Sequence, residues 1–587
     1  MRVTVFTLFY FIYSSMQALT VHYTIQIKNP NSHVAEVLME ISGIKDKTID
    51  IKMPVWTPGS YMVREFERNI LSVTAKNGGQ NLKLEKTEKN NWKIDLKGAQ
   101  SVQVSYAIYC FENTVRTSYI DGDHAFLLMT SCLMYSGNTS ANAGKLKLIY
   151  PAQWSKVSTT LPKTAENEFS FSNYDELVDS PIEIGNHEEL TFEVAGVPHK
   201  AAMVGLNNCN KEKFTADLKK ICETMHNIIG AHPCKSYLFV IHHVEEGGGG
   251  LEHANSCVVQ MPRFNYSNPD KYKSFLGLCA HEYFHLWNVK RIRPAALGPF
   301  DYNKENYTHL LWVAEGITSY YDELALYRAG YINQAEYLKA LSGTLNATLN
   351  RIGGSLQSLH EASFDAWIKE YRPNENSSNS NISYYLKGAA VAALLDIEIL
   401  SATEGKKGLD DLMRYLYNEF YIKQNRGFSD NEFYEAVNTV AGKPLDIREW
   451  VEEPNSEKTQ ASIRIILKKV ACGLEDKSKA NTLYTGINTE IKGEKLLVKS
   501  VEDLSPAMMA GLQFGDELIA VNYLRIKLSL EDAIKNAGSE QKITLTISRA
   551  GIIKVIELNF VAKTKADLNI LIEDKENLVL KAWLKVN

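Results

Sequence analysis

Hydrophobic residues change their spacing twice along this 587-residue chain, and this change limits the possible folds more than any other feature. From about residue 20 to 200 apolar and polar residues alternate, as in Val21–Asn29, which is the spacing of half-buried strands. From about 210 to 455 apolar residues recur every three or four positions, which is the spacing of amphipathic helices. Short strand-like segments return from about 465 to 563. The sequence therefore predicts a multidomain α+β protein.

The same changes of spacing give the predicted domain boundaries. We expect an N-terminal antiparallel β domain over residues 19–200 and a mostly α-helical domain over 201–460. A third, smaller domain follows at 465–563, and a C-terminal tail at 564–587 completes the chain.

Residues 1–18 have the layout of a secretory signal peptide. Arg2 precedes a largely apolar, uncharged run from Val3 to Tyr13, and Ala18 is a possible cleavage position. That run is shorter than the roughly 20 residues a membrane-spanning helix needs, and no later segment reaches about 18 uninterrupted apolar residues. We therefore expect an exported protein, periplasmic or secreted, that is not an integral membrane protein.

The segment "HEYFH" contains His281, Glu282 and His285 in the spacing His-Glu-x-x-His. Upstream, Asn268 is a candidate helix cap and Pro269 a candidate first helical residue, so the segment is expected to be helical. Two histidines one helical turn apart share a face and can both reach one zinc ion at about 2.0–2.1 Å. Glu282 would lie beside them, able to contact a water without binding the metal. Because so short a motif also occurs by chance, two buried structural histidines remain the alternative.

Two glutamates are candidates for the third ligand. Glu305 follows His285 by 20 residues, a spacing that thermolysin-like enzymes use, and Glu315 follows it by 30. Glu305 lies in a polar stretch with no helical pattern, whereas Glu315 lies in a strongly apolar helical segment. Only a buried helix can hold a carboxylate against the first helix at a fixed distance. We therefore predict one zinc ion per chain, bound by His281, His285 and Glu315.

Several longer stretches point to one family. The segment 311–321 ("LWVAEGITSYY") resembles the Trp-x-x-Glu-Gly stretch that provides the third zinc ligand in gluzincin aminopeptidases. Three other stretches resemble parts of the glycyl aminopeptidase family. Residues 281–302 resemble its zinc helix, residues 53–69 its N-terminal domain signature, and residues 247–256 its substrate-binding strand. Members of this family are secreted or periplasmic zinc exopeptidases with a PDZ domain. The resemblance implies a thermolysin-like catalytic domain over 201–460.

The resemblance also implies catalytic roles. In it, Glu282 accepts a proton from a zinc-activated water and later delivers it to the leaving amine. Residues 383–395 are similar to the Tyr-x-Lys-Gly element of aminopeptidases, whose tyrosine donates a hydrogen bond to the tetrahedral intermediate. The matching residue is Tyr385, with Tyr384 as the second choice. Judged on its residues alone, this pair is more simply a pair of core tyrosines.

The stretch "GGGGLEH" is the expected specificity element. Gly249 and Gly250 permit close approach of the backbone to a ligand, and an edge strand there could pair with an extended peptide. Glu252 would then meet the free α-amine of the substrate. The alternative is a flexible glycine loop with a solvated glutamate.

Residues 496–526 ("LLVKSVEDLSPAMMAGLQFGDELIAVNYLRI") resemble a PDZ domain. The expected carboxylate-binding loop, Tyr484–Ile487, departs from the usual Gly-Leu-Gly-Phe, and Tyr523 stands where a turn glycine is common. A peptide or protein ligand for this domain is possible, and a structural or docking role is equally open.

Together these observations predict a zinc-dependent aminopeptidase that removes small N-terminal residues, glycine and then alanine, from peptides with a free N-terminus. Two alternatives stay open: a zinc endopeptidase that uses the PDZ domain for substrate docking, and a non-catalytic PDZ scaffold. A net charge of −5 gives no electrostatic footprint for nucleic acid.

Overall fold

The computed structural model describes residues 19–527, 529–538 and 541–585, so the predicted signal peptide lies outside the described part. Contacts divide the chain into two compact units. Of the described residues, the first contains 19–58, Arg64–Glu188 and Tyr302–Lys304, and the second contains Gly59–Val63, Glu189–Asp301 and those from Glu305 onward. Among the described helices, none combines the length and the apolar character needed to cross a membrane.

The first unit is a β domain, as the alternating sequence predicts. Its largest sheet has eight strands in the order β13-β14-β11-β1-β2-β8-β4-β5, antiparallel throughout except for the parallel pair β1–β11. Every second residue of β2 is buried, which explains why the alternating sequence forms this sheet. The elements are β1 (Thr20–Gln26), β2 (Val34–Ser42), β3 (Thr48–Lys52), β4 (Ile70–Asn77), β5 (Gln80–Asn81), β6 (Lys83–Glu88), β7 (Asn91–Asp95), β8 (Ser101–Tyr109), β9 (Tyr119–Ile120), β10 (Ala125–Leu127), β11 (Gly144–Ile149), β12 (Lys156–Ser158), β13 (Lys163–Ala165), β14 (Glu168–Phe171), α1 (Tyr174–Val178) and β15 (Ile182–Gly185).

The second unit begins with a five-stranded sheet rather than with a helix. Its order is β16-β17-β18-β20-β19, from β16 (Glu188–Val194), β17 (Val197–Val204), β18 (Tyr237–Val244), β19 (Gly249–Glu252) and β20 (Ser256–Pro262). Sequence alternation placed the strands up to residue 200 in the β domain. The structure instead pairs β17 in parallel with β18, across the helix α2 (Lys211–Ile229), so β16 and β17 belong to the second unit.

The predicted zinc helix begins at its predicted capping residues. The zinc-helix candidate is α3 (Pro269–Phe284), with the Asn268 side chain accepting from the backbone of Asp270 and Lys271. The Glu315 segment is a π-helical turn, Trp312–Gly316, that continues into α4 (Ile317–Arg328). The other helices of this region are α5 (Gln334–Asn350), α6 (Leu359–Phe364), α7 (Ser377–Ser380), α8 (Tyr384–Ala402), α9 (Leu409–Leu416), α10 (Asp430–Ala441), α11 (Arg448–Glu452) and α12 (Glu457–Lys469).

Residues 487–559 form a small sheet with its own hydrophobic core, in the region where a PDZ domain was predicted. Asn522 and Tyr523 both have positive φ, so Tyr523 adopts the turn conformation for which a glycine was expected. The elements of this C-terminal region are β21 (Cys472–Asp476), β22 (Ala480–Tyr484), β23 (Ile487–Lys492), β24 (Lys495–Val501), α13 (Pro506–Met509), β25 (Glu517–Val521), β26 (Leu524–Arg525), α14 (Leu530–Ala537), β27 (Lys542–Arg549) and β28 (Ile552–Asn559).

Residues 564–585, expected to be a tail, are ordered elements of the second unit. Three elements complete the chain: β29 (Val561–Thr564), β30 (Leu568–Ile572), which pairs with β21, and α15 (Leu578–Leu584). Trp583 is buried, and its indole N–H donates to the hydroxyl of Tyr320 at 3.0 Å. The segment therefore contributes to the helical core rather than extending from it.

Candidate active site

The structure brings the three predicted zinc ligands together where the end of α3 meets the Glu315 segment. Nε2 of His281 lies 3.4 Å and Nε2 of His285 lies 3.2 Å from the same oxygen, Oε2 of Glu315. In a tetrahedral site with bonds of about 2.0–2.1 Å, two ligand atoms are roughly 3.3 Å apart. The three side chains therefore have the spacing of a zinc site.

The other ring nitrogens of both histidines have fixed partners. Nδ1 of His281 is 3.0 Å from Oδ2 of Asp322, and Nδ1 of His285 is 2.5 Å from the carbonyl oxygen of Asn288. When each Nδ1 carries the proton, both Nε2 lone pairs face Glu315, which is the arrangement metal-binding histidines use. Although burial favours the neutral form, His285 and His281 lower the pKa of Glu315 to about 2, so this carboxylate is ionised. The donor set fits a zinc ion.

Glu305 is not part of this group. It lies in the loop before residue 310, and the metal-type cluster contains Glu315 in its place. Glu315 lies on a buried helical turn, and its carboxylate meets His281 and His285, whereas the Glu305 stretch is irregular.

Glu282 lies beneath the strand β19. A Cβ atom placed on Gly250 would be 2.2 Å from Cδ and Oε1 of Glu282, so only glycine allows this approach. Glu282 is buried, and its Oε2 has no hydrogen-bond partner among the described residues. β19 is the last strand of its sheet, hydrogen-bonded on one side to β20. It therefore offers an edge to an extended peptide directly above a glutamate beside the metal-type cluster.

Burial raises the pKa of Glu282 to about 7. The charges of His281 and His285 oppose this rise, while those of Glu252 and Glu315 add to it. A carboxyl with a pKa near neutrality can both accept and release a proton at physiological pH.

Glu252, at the end of β19, forms a second group with Glu282 and His285, whose ligand-type atoms lie within 4.8 Å of one another. A Cβ atom on Gly59, which has φ +86°, would lie 2.5 Å from both carboxylate oxygens of Glu252. Glu252 is buried, and its Oε1 lacks a hydrogen-bond partner among the described residues. Two buried carboxylates this close call for a cation between them or beside them.

Tyr385 lies at the first turn of α8, and its ring centroid is 6.4 Å from that of His281. Its hydroxyl is 3.1 Å from the hydroxyl of Tyr371. Burial and the charge of Glu315 raise the pKa of Tyr385 well above its usual range, so the hydroxyl is protonated and can donate. Tyr384 stacks on Tyr385 at 4.6 Å, but its own hydroxyl is fully buried.

The approach of α8 to the Glu315 segment depends on two glycines. A Cβ atom on Gly316 would lie 2.5 Å from Cα of Gly388, and one on Gly388 would lie 2.8 Å from Cα of Gly316. The two backbones therefore touch at this point. Gly316 is next to Glu315, and Gly388 is one helical turn from Tyr385. The contact between the two glycines therefore sets how close the side chains of Glu315 and Tyr385 lie.

Sequence reasoning missed Asp322, Asn288 and Tyr61. Asp322 follows Glu315 by seven residues, two helical turns, so the helical period could have revealed it. Asn288 donates from Nδ2 to the carbonyls of Val313 and Ala314 and so ties the end of the zinc helix to the Glu315 segment. No local pattern signals that contact, which joins residues 25 positions apart.

Tyr61 comes from residues 53–69, the stretch that resembled the family's N-terminal signature. It is buried, and its ring packs edge-on against Trp367 at 5.8 Å and Tyr371 at 6.1 Å. Burial and the charges of Glu315 and Glu252 raise its pKa far above the usual range. Tyr61 is therefore a buried aromatic residue of the second unit whose hydroxyl responds to both carboxylates.

Two protein-family models match this chain. The M61 peptidase N-terminal domain model matches residues 22–186, and the M61 glycyl aminopeptidase model matches residues 274–391. No curated protein matches the chain. An M1 zinc metallopeptidase from Deinococcus radiodurans is 12% identical, with a TM-score of 0.45 over 77% of this chain and 93% of its own.

A much stronger similarity is to the crystal structure of an aminopeptidase N family protein from Idiomarina loihiensis. The two chains are 30% identical, the alignment covers 96% of this chain and 100% of the other, and the TM-score is 0.88. With the two family matches, this establishes that the chain belongs to the M61 glycyl aminopeptidase family and is a metallo-aminopeptidase.

Proposed function

We propose that this metallo-aminopeptidase removes small residues, glycine first and alanine next, from peptides with a free N-terminus. The observation that carries the proposal is the position of Glu252, a buried carboxylate at the end of the edge strand β19, one oxygen of which has no hydrogen-bond partner among the described residues. A substrate ammonium would give this carboxylate a cation, and a peptide paired with β19 would bring one there. With its amine held at Glu252, a peptide has its first peptide bond beside Glu282.

The preference for small first residues is supported by the walls around Glu252. Gly59 lies directly against its carboxylate, and Tyr61, two residues further along the chain, is a buried ring whose pKa responds to the charges of Glu315 and Glu252. A large first side chain would have to push these buried groups aside. Glycine and alanine avoid that cost.

In this proposal His281, His285 and Glu315 hold one zinc ion at the catalytic centre. Zinc bound there would polarise the scissile carbonyl and lower the pKa of water towards neutrality. Glu282 accepts a proton from the attacking water on its buried Oε2 and passes it to the nitrogen of the leaving amine, so that one proton is taken up and one released per turnover. Tyr385 donates its hydroxyl hydrogen to the oxyanion that forms at the carbonyl.

We also propose that the enzyme is exported and that residues 465–563 form a PDZ domain able to dock a peptide or protein. The apolar run behind Arg2 supports export. The compact sheet of 487–559, with its own core, supports a separately packed module. A thermolysin-like fold for residues 201–460 is the corresponding proposal for the catalytic region.

The direct test is hydrolysis of glycyl, alanyl, leucyl and phenylalanyl chromogenic amides and their N-acetylated forms, with and without a zinc chelator. We expect glycyl and alanyl amides to be cleaved fastest, acetylated amides to be nearly inert, and chelation to stop the reaction. Equal cleavage of free and acetylated peptides would favour the endopeptidase alternative, and no cleavage of any substrate by zinc-loaded protein would favour the scaffold.

Glu252→Ala is expected to lower kcat/KM for glycyl amides by about 2–5 kcal/mol of transition-state free energy, roughly 30- to 5000-fold, because it removes one partner of a buried charge pair. Steady-state kinetics on the zinc-loaded variant measures the loss. Glu246→Ala is the matched control, since Glu246 is exposed in the loop before the same strand and should leave kcat/KM unchanged. Unchanged kinetics in Glu252→Ala would remove this residue as the amine anchor.

Tyr385→Phe is expected to lower kcat by about 10²–10³-fold, the usual cost of removing one oxyanion donor, with little change in KM. Tyr384→Phe is the matched control, because it removes a neighbouring hydroxyl that is fully buried against the same ring. If Tyr384→Phe loses the activity and Tyr385→Phe keeps it, the donor is Tyr384.

A further inference from the structure

A second group of metal-binding side chains lies outside the catalytic centre. His309 precedes the Glu315 segment, His360 lies in α6, and Asp430 is the first residue of α10. Nδ1 of His309 is 3.4 Å and Nε2 of His360 is 3.1 Å from the same carboxylate oxygen, Oδ2 of Asp430. One ligand-type atom from each residue lies within 4.8 Å of the other two.

These distances match those of the catalytic cluster. There the two histidine nitrogens lie 3.4 Å and 3.2 Å from one oxygen of Glu315. Both sets agree with the roughly 3.3 Å edge of a tetrahedron whose bonds are about 2.0–2.1 Å long. The second group therefore has the donor types and the spacing of a metal site, with open positions on its partly exposed side.

The three side chains are held in place by ordered segments. Ser429 and Glu432 form a capping box that fixes the start of α10, and Ser358 and Glu361 form another at the start of α6. The ring of His309 stacks on His360 at 4.1 Å and on Phe364 at 4.8 Å. Because helix caps and ring stacking fix the positions of these side chains, the site is preorganised for a metal ion.

An ordinary ion pair explains the arrangement less well. Asp430 needs only one protonated histidine as a partner, and two protonated rings stacked this closely would repel each other. One divalent cation instead uses the lone pairs of two neutral imidazoles together with the carboxylate. Two imidazole nitrogens and one carboxylate suit zinc and its neighbours in the first transition series, and not magnesium or calcium, which take oxygen ligands.

We propose that His309, His360 and Asp430 bind a second divalent transition-metal ion that fastens α6 and α10 to the chain leading into the Glu315 segment. Three residues after His309, the backbone N–H of Trp312 donates to Oγ of Ser363, three residues after His360, at 3.2 Å. An ion at the cluster would strengthen the same junction. Its role is structural support behind a catalytic ligand, and the site stands apart from the ligands of the catalytic centre.

The test uses Zn²⁺ alone as the probe on the full chain. Metal content after dialysis against buffered free Zn²⁺ is expected to reach two equivalents in the wild type, and one in each of Asp430→Asn and His360→Ala. His22→Ala, at an exposed histidine of β1, is the matched control and should keep two equivalents of Zn²⁺. Glu315→Ala should bind one equivalent of Zn²⁺. The double variant Glu315→Ala/Asp430→Asn should bind none.

Thermal unfolding provides the second readout. Adding the second equivalent of Zn²⁺ should raise the melting temperature of the wild type but not that of Asp430→Asn, and the single equivalent bound by Glu315→Ala should raise the melting temperature of that variant. Hydrolysis of glycyl amides by Asp430→Asn confirms that this variant folds and keeps its catalytic ion. One equivalent in the wild type, or two in a folded Asp430→Asn, would overturn the proposal.

Discussion

Glu315→Ala is expected to lose the catalytic zinc ion and peptide hydrolysis together, and to keep only the ion proposed for the His309, His360 and Asp430 group. The substitution leaves the two imidazoles and removes the carboxylate that contacts both of them. Removing an outer partner of a metal ligand already costs about 10–100-fold in affinity, so removing a ligand itself costs more. Metal analysis at limiting free Zn²⁺, paired with an assay on glycyl amides, measures both losses. Activity should not return at zinc concentrations that saturate the wild type.

Glu305→Ala is the control, because it removes the competing glutamate of the neighbouring loop. We expect it to keep the catalytic zinc and the full rate. If Glu305→Ala loses one zinc equivalent and activity while Glu315→Ala keeps the zinc content and activity of the wild type, the third ligand is Glu305, and the arrangement of the Glu315 segment described above is wrong.

Glu282→Gln is expected to keep zinc while kcat falls by about 10²–10⁴-fold, the range for removing a general acid–base group. Glutamine preserves the size and burial of the side chain under Gly250 but cannot accept the proton. The metal ligands are untouched, so zinc content separates this loss from that of Glu315→Ala. Pre-steady-state and steady-state rates on glycyl amides measure the effect.

The same variant tests the assignment in a second way. If Glu282 only orients the substrate, KM should rise while kcat holds, because the lost interaction would affect bound substrate and transition state equally. A variant that retains zinc and turns over within a few-fold of the wild type would remove Glu282 from proton transfer.

The zinc helix was predictable from sequence because its signals are local. Asn268 and Pro269 begin α3 at the predicted residues, and His281 and His285 fall one turn apart on its end. The burial of the Glu315 segment was visible in its apolar composition. Such features depend on residues that are neighbours in the chain, where capping chemistry and helical period act directly.

The rest of the site arises from contacts between distant segments. Gly59 and Glu252 are far apart in sequence, and only the folded chain places a glycine Cα against that carboxylate. The C-terminal segment likewise gave no periodic signal strong enough to reveal α15, whose buried Trp583 donates to the hydroxyl of Tyr320, 263 positions earlier. Hydrophobic spacing identifies an element and its buried face, but not the partner that covers it.

The contact between Gly316 and Gly388 has a consequence for recognising inactive members of this family. A single methyl group at either position would meet backbone rather than a side chain that can rotate away, so the Glu315 segment and α8 would have to separate. Glu315 and Tyr385 would then move apart although both were still present. A pseudoenzyme could thus arise here with every ligand and every proton-transfer residue in its sequence, and an inventory of those residues would still count it as a peptidase.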